Sequence, residues 1–146
     1  MARAVLYIVI HTTATVQNAK VESIQSYWRN TLKWKSPGYA KIIEANGNVV
    51  TLASDDQVTN GVAGYNNNSL HVSYIGGIDA KGNALDNRTE AQKYALAAVV
   101  AEWKKKYPNA IVQGHRDFPG VAKACPCFNA KPWWKAIENA IKANQI

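Results

Sequence analysis

Apolar residues run unbroken through positions 5–10, β-branched and without polar relief, which predicts a strand covered on both faces, with His11 at its C-terminal end. The rhythm then changes. Val21, Ile24, Tyr27, Trp28 and Leu32 recur at helical spacing, so an amphipathic helix is expected before the breaker Ser36-Pro37-Gly38. Strand-like stretches at 39–44 and 49–52 flank Asn46-Gly47, a pair suited to a tight turn, and predict an antiparallel hairpin. Residues 64–68 are polar and turn-forming and read as a surface loop. In the strand expected at 70–75, Leu70, Val72 and Tyr74 form the packed face, leaving His71 and Ser73 on a face that is partly open.

Thr89 opens T-E-A-Q, a capping box, and the helix it starts runs to about Tyr107, with Leu96, Val99, Val100 and Trp103 inward and Pro108 as the stop. A short strand at 111–113 leads to His115. A last helix is expected near Pro132, turning Trp133, Trp134, Ile137 and Ile141 inward. This order of elements predicts an α/β fold, a central mixed sheet flanked by helices, in a single domain of residues 1–146. There are no repeats, linkers or low-complexity segments.

Composition narrows the functional classes. A 146-residue chain that is 47% hydrophobic can bury a sizeable core, so a compact enzyme is feasible. The net charge of +7 predicts an acidic partner: nucleic acid, an anionic membrane surface and bacterial cell wall all fit that field. Lys104-Lys105-Lys106 reads as a solvated helix end. No strand alternates aromatic and basic residues, so a nucleic-acid platform is not expected. No stretch approaches the ~20 apolar residues of a membrane span. The apolar run near the N-terminus leads straight into His11, which a cleaved signal peptide would remove; synthesis in the cytoplasm without a signal peptide is therefore expected. Cys125 and Cys127 are too close for an ordinary loop-closing disulfide and are expected to be reduced.

The chemistry concentrates in a few scarce residue types. The chain has three His and two Cys, and His11 and His115 both fall at predicted strand ends with Cys125 shortly after the second. Each alone reads as a structural residue. Together they form a two-His, one-Cys set for Zn2+, and three protein ligands leave a tetrahedral position for water or a substrate oxygen, which suggests a hydrolase. Cys127, just before Phe128 and close to an apolar helix, reads as a small buried residue and as the lesser competitor for the metal.

The segments V-I-H-T-T-A-T, S-P-G-Y-A-K-I-I, G-Y-N-N-N-S, Y-I-G-G-I-D, G-H-R-D-F and A-K-A-C-P-C-F together resemble the zinc-dependent N-acetylmuramoyl-L-alanine amidases, the family of amidase-type phage lysozymes and peptidoglycan recognition proteins. The motifs are collinear from about His11 to Trp134. The resemblance implies a zinc site in a surface groove and hydrolysis of the amide between N-acetylmuramic acid and L-alanine. By position, His11, His115 and Cys125 match the metal ligands, Tyr39 a catalytic tyrosine, and Lys123 the catalytic lysine of phage members. A Lys aimed at the developing oxyanion is worth on the order of 3 kcal/mol in such reactions.

In two places the chain departs from the family. Ala40 stands where a His often follows the tyrosine, and Gly61-Val62 where His-Ala often precedes the G-Y-N loop, so substrate contacts of those His are not carried over. Substrate contacts are expected instead from Gly64, Tyr65, Asn66 and Asn68, from an exposed Trp34 stacking on a sugar, and from His71, for which a structural and a substrate-facing role weigh equally. The reading is a monomeric phage or prophage endolysin that acts on peptidoglycan after the membrane is breached. The alternatives are a non-catalytic peptidoglycan-binding module, against which the retained Cys125 argues, and a cytoplasmic muropeptide-recycling amidase.

Overall fold

The computed structural model describes residues 3–144. Five strands, β1 (Tyr7–Thr12), β2 (Lys41–Ile43), β3 (Val49–Thr51), β4 (Ser69–Tyr74) and β5 (Ile111–Gly114), form one sheet in the order β3-β2-β4-β1-β5. Only β2 and β3 pair antiparallel; β2 with β4, β4 with β1 and β1 with β5 are parallel. The mixed sheet and its hairpin match the sequence expectation. The strands begin and end within two residues of the expected positions.

The two faces of the sheet have different coverings. Ile8 and Ile10 of β1 and Leu70, Val72 and Tyr74 of β4 point into the larger core with Leu96, Val99, Val100 and Trp103 of α2 (Glu90–Lys106) and Trp134 of α3 (Ala130–Ala143). The opposite face packs Ile42 and Ile75 against Val21, Ile24 and Trp28 of α1 (Val21–Ser26) and the π-helical turn Tyr27–Thr31 that continues it. Helix α2 begins with the expected capping box, Thr89 Oγ1 accepting from Gln92 N and Gln92 Oε1 from Thr89 N. The same Gln92, fully buried, donates from Nε2 to Ile43 O and Ile75 O. It thereby ties the start of α2 to the ends of β2 and β4.

Two expectations of burial need correction. All six residues of β4 are buried, so the His71–Ser73 face is not open. The segment carrying Gly61 and Val62 crosses over it, and a Cβ placed on Gly61 would fall 2.3 Å from His71 Nδ1. In α3, Ile141 is 39% exposed, because this helix runs past the edge of the core by its last turn. Among the described residues, no helix is long and apolar enough to cross a membrane.

Candidate metal centre

His11 and His115 come together because β1 and β5 are parallel neighbours, so both side chains leave the sheet at its C-terminal edge, where open α/β sheets bind ligands. His11 lies within β1. His115 opens a 3-10 turn, His115–Asp117, in which Asp117 Oδ2 accepts from Gly114 N. The Cys125 loop is fastened to that turn by Arg116 N donating to Cys125 O at 3.0 Å, and to β4 by Tyr74 Oη donating to Pro126 O at 2.7 Å. The ring centroids of His11 and His115 are 4.9 Å apart, and Cys125 Sγ is 3.8 Å from His11 Nδ1. One donor atom from each of His11, His115 and Cys125 lies within 4.8 Å of the others. No other group of three or more His, Cys, Asp or Glu side chains converges this way among the described residues.

The electrostatics suit a soft divalent cation. Burial holds His11 well below the ordinary imidazole pKa, helped by His71, His115 and Lys123 nearby, and burial with Lys123 also lowers His115. Both rings are therefore neutral near pH 7, as a ligand must be. Burial pushes the Cys125 thiol up to about 12, against the pull of the Thr12 backbone amide, which donates to Sγ at 3.2 Å. A divalent cation reverses that balance, since a coordinating thiol is deprotonated outright. Cys127 does not join this set: its Sγ lies 3.5 Å from Gly77 O.

A groove of about 680 Å³ is lined by Thr13, Trp28, Trp34, Tyr39 and Lys123 among others. Tyr39 places its ring 4.8 Å from that of His11 and 5.4 Å from that of Trp28. Burial raises its phenol far above the ordinary value, so it stays protonated and acts as a donor. Lys123 is exposed on the groove wall.

The expected substrate residues fare differently. Trp34 is half-buried rather than exposed, stacks one face on Trp28 at 6.3 Å and lines the groove. His71 is fully buried and hydrogen-bonded, so it does not face a groove. Asn66 Oδ1 is committed to Val62 N and His71, and Asn68 Nδ2 donates to Ala4 O at the far end of the sheet. Tyr65 packs between Tyr7 and Phe118. Of the four expected loop residues, Gly64 is exposed, at φ +87°, as is the neighbouring Asn67. Asn66 Oδ1 and Asn68 Nδ2 thus tie the loop to its surroundings, at Val62, His71 and Ala4.

Sequence reasoning missed three parts of the site: the Thr12 amide on the sulfur, the Tyr74 anchor of the Cys125 loop, and the pairing of His71 with His11. The last was partly legible, because β1 and β4 as parallel neighbours put His71 and His11 on one face.

Residues 1–128 match the family described as N-acetylmuramoyl-L-alanine amidase. The chain is 38% identical over 133 residues to the endolysin of Klebsiella phage KP32, covering 90% of this chain and 86% of that one. It is 35% identical over the same span to the endolysin of Escherichia phage T7, again covering 90% and 86%. Among solved structures, the N-acetylmuramoyl-L-alanine amidase LysC from Clostridium intestinale superposes with a TM-score of 0.75 at 22% identity, covering 94% of this chain and 87% of that one.

Proposed function

The chain belongs to the N-acetylmuramoyl-L-alanine amidase family, and from that premise we propose that it is a phage endolysin cutting the amide between N-acetylmuramic acid and L-alanine, with Zn2+ held by His11, His115 and Cys125. The observation that carries the reading is the meeting of those three donors at the C-terminal edge of the sheet, beside the groove lined by Tyr39 and Lys123. When bound, the metal supplies polarisation of the scissile carbonyl and activation of water.

The chain's own groups do the rest. Lys123 brings an ammonium to the oxyanion that forms as the carbonyl carbon becomes tetrahedral, and Tyr39, held protonated, donates a hydrogen bond in the groove. The C–N bond breaks, the L-alanine nitrogen takes a proton and leaves as the amine, and the lactyl group is left as a carboxylate. A field of +7 favours encounter with anionic wall polymers.

The test is the chemistry of the ends. Peptidoglycan digested by the purified protein is expected to release free L-alanine amines and lactyl-muramic carboxylates without new reducing sugar ends. New reducing ends would make it a glycosidase, and tight binding without cleavage would make it a recognition module.

A further inference from the structure

His71 is a buried imidazole with a partner at each nitrogen: Nδ1 is 2.9 Å from His11 Nε2, and Nε2 is 2.9 Å from Asn66 Oδ1. The proton positions along this chain follow from its far end. Val62 N is a backbone amide and can only donate, and it lies 2.8 Å from the same Asn66 atom, which must therefore be the carbonyl oxygen. An amide oxygen only accepts, so His71 carries its proton on Nε2 and donates it to Asn66. His71 Nδ1 is then a bare lone pair that accepts from His11 Nε2–H. That leaves His11 Nδ1, the nitrogen facing Cys125 Sγ, without a proton.

We propose that His71 is a positioning residue for the metal centre: the chain Val62, Asn66, His71, His11 fixes the tautomer and ring orientation that turn the His11 Nδ1 lone pair toward the ion. This rests on the zinc reading given above. The His71 ring has little room to turn, because Gly61 lies against it so closely that a Cβ there would come within 2.5 Å of three ring atoms. The relay is shielded from water, with His11 at 1% and His71 at 0% exposure, so no solvent molecule competes for the Nδ1 acceptor. An imidazole whose second nitrogen is held by an acceptor is a better-oriented and more basic ligand, and loss of such a partner lowers metal affinity by about 10- to 100-fold. Gly61, the departure from the family pattern noted in the sequence, leaves the space that the His71 ring fills.

The experiment has two readouts. Imidazole 15N shifts of the metal-free protein are expected to show both His11 and His71 as Nε2–H tautomers, and this result does not require that zinc bind at all. Zinc affinity is then measured for His71→Leu, which removes the acceptor, and for His71→Asn, which returns an amide oxygen to the position of Nδ1. The proposal expects His71→Leu to lose about 10- to 100-fold in affinity and to mix the His11 tautomers, while His71→Asn stays within a few-fold of wild type, as roughly expected of a retained acceptor. Should His71→Leu fail to fold, Asn66→Ala is the second variant, expected to leave the fold intact and mix the His71 tautomers. An Nδ1–H tautomer of His11 in the wild type, unchanged affinity in His71→Leu, equal loss in both His71 variants, or unaltered His71 tautomers in Asn66→Ala would each overturn it. A wild-type protein with the expected tautomers that binds no zinc would instead defeat the metal reading.

Discussion

Tyr74→Phe removes one oxygen atom from the core and tests how the Cys125 loop is held. The Tyr74 side chain is fully buried, and its hydroxyl is the one donor to the Pro126 carbonyl among the described residues. Replacement by Phe keeps the ring's packing and opens no cavity, so the cost is that of a buried carbonyl left without a partner, about 1–3 kcal/mol. Taking about 2 kcal/mol, and about 2–4 °C per kcal/mol for a chain of this size, Tm should fall by about 4–8 °C. Because Pro126 adjoins Cys125, zinc affinity should fall as well. Urea unfolding of the metal-free protein measures the first effect, with the m-value expected to be unchanged. Tyr94→Phe, at a position 82% exposed, serves as the control and should shift stability by less than about 0.5 kcal/mol. Equal stabilities for Tyr74→Phe and wild type would refute the claim that this bond anchors the loop.

Cys125→Ser is expected to abolish tight zinc binding and turnover and Cys127→Ser to retain both, as metal analysis and wall digestion would show; the reverse pattern would move the ligand to the second thiol. Lys123→Ala should keep its zinc while turnover falls by about 10²–10³-fold, the usual loss for one oxyanion donor, whereas loss of the metal in this variant would place Lys123 in a different role. Acid should destabilise the metal-free protein. Burial holds His71 down to about 3 and His11 well below its ordinary value, so between about pH 6.5 and 3 the unfolded chain binds protons that the folded one refuses. Stability is then full above pH 6.5 and lost as the pH falls, and a urea midpoint that rises on acidification would contradict this.

The sheet was legible because its signals are local: a β-branched run for β1, Asn46-Gly47 for the hairpin, and Thr89 with Gln92 for the start of α2. The metal ligands were legible for a different reason, since His and Cys are scarce here and fall within collinear family motifs. The face of β4 carrying His71 was misread because alternation reports which residues share a face and not what lies over it. The cover comes from Gly61 and Val62, a segment with no periodicity of its own. The polar loop at 64–68 misled similarly. Asn66 and Asn68 look free for substrate in the sequence, yet Asn66 turns back onto His71, five residues on, and Asn68 reaches Ala4, which the pairing of β1 with β4 brings close.

Zinc K-edge X-ray absorption of the zinc-loaded protein addresses the centre itself. One sulfur at about 2.3 Å and two imidazole nitrogens at about 2.0–2.1 Å are expected, with the remaining position taken by a light oxygen scatterer. Two sulfurs, or a shell of nitrogen and oxygen with no sulfur, would contradict a site built from His11, His115 and Cys125.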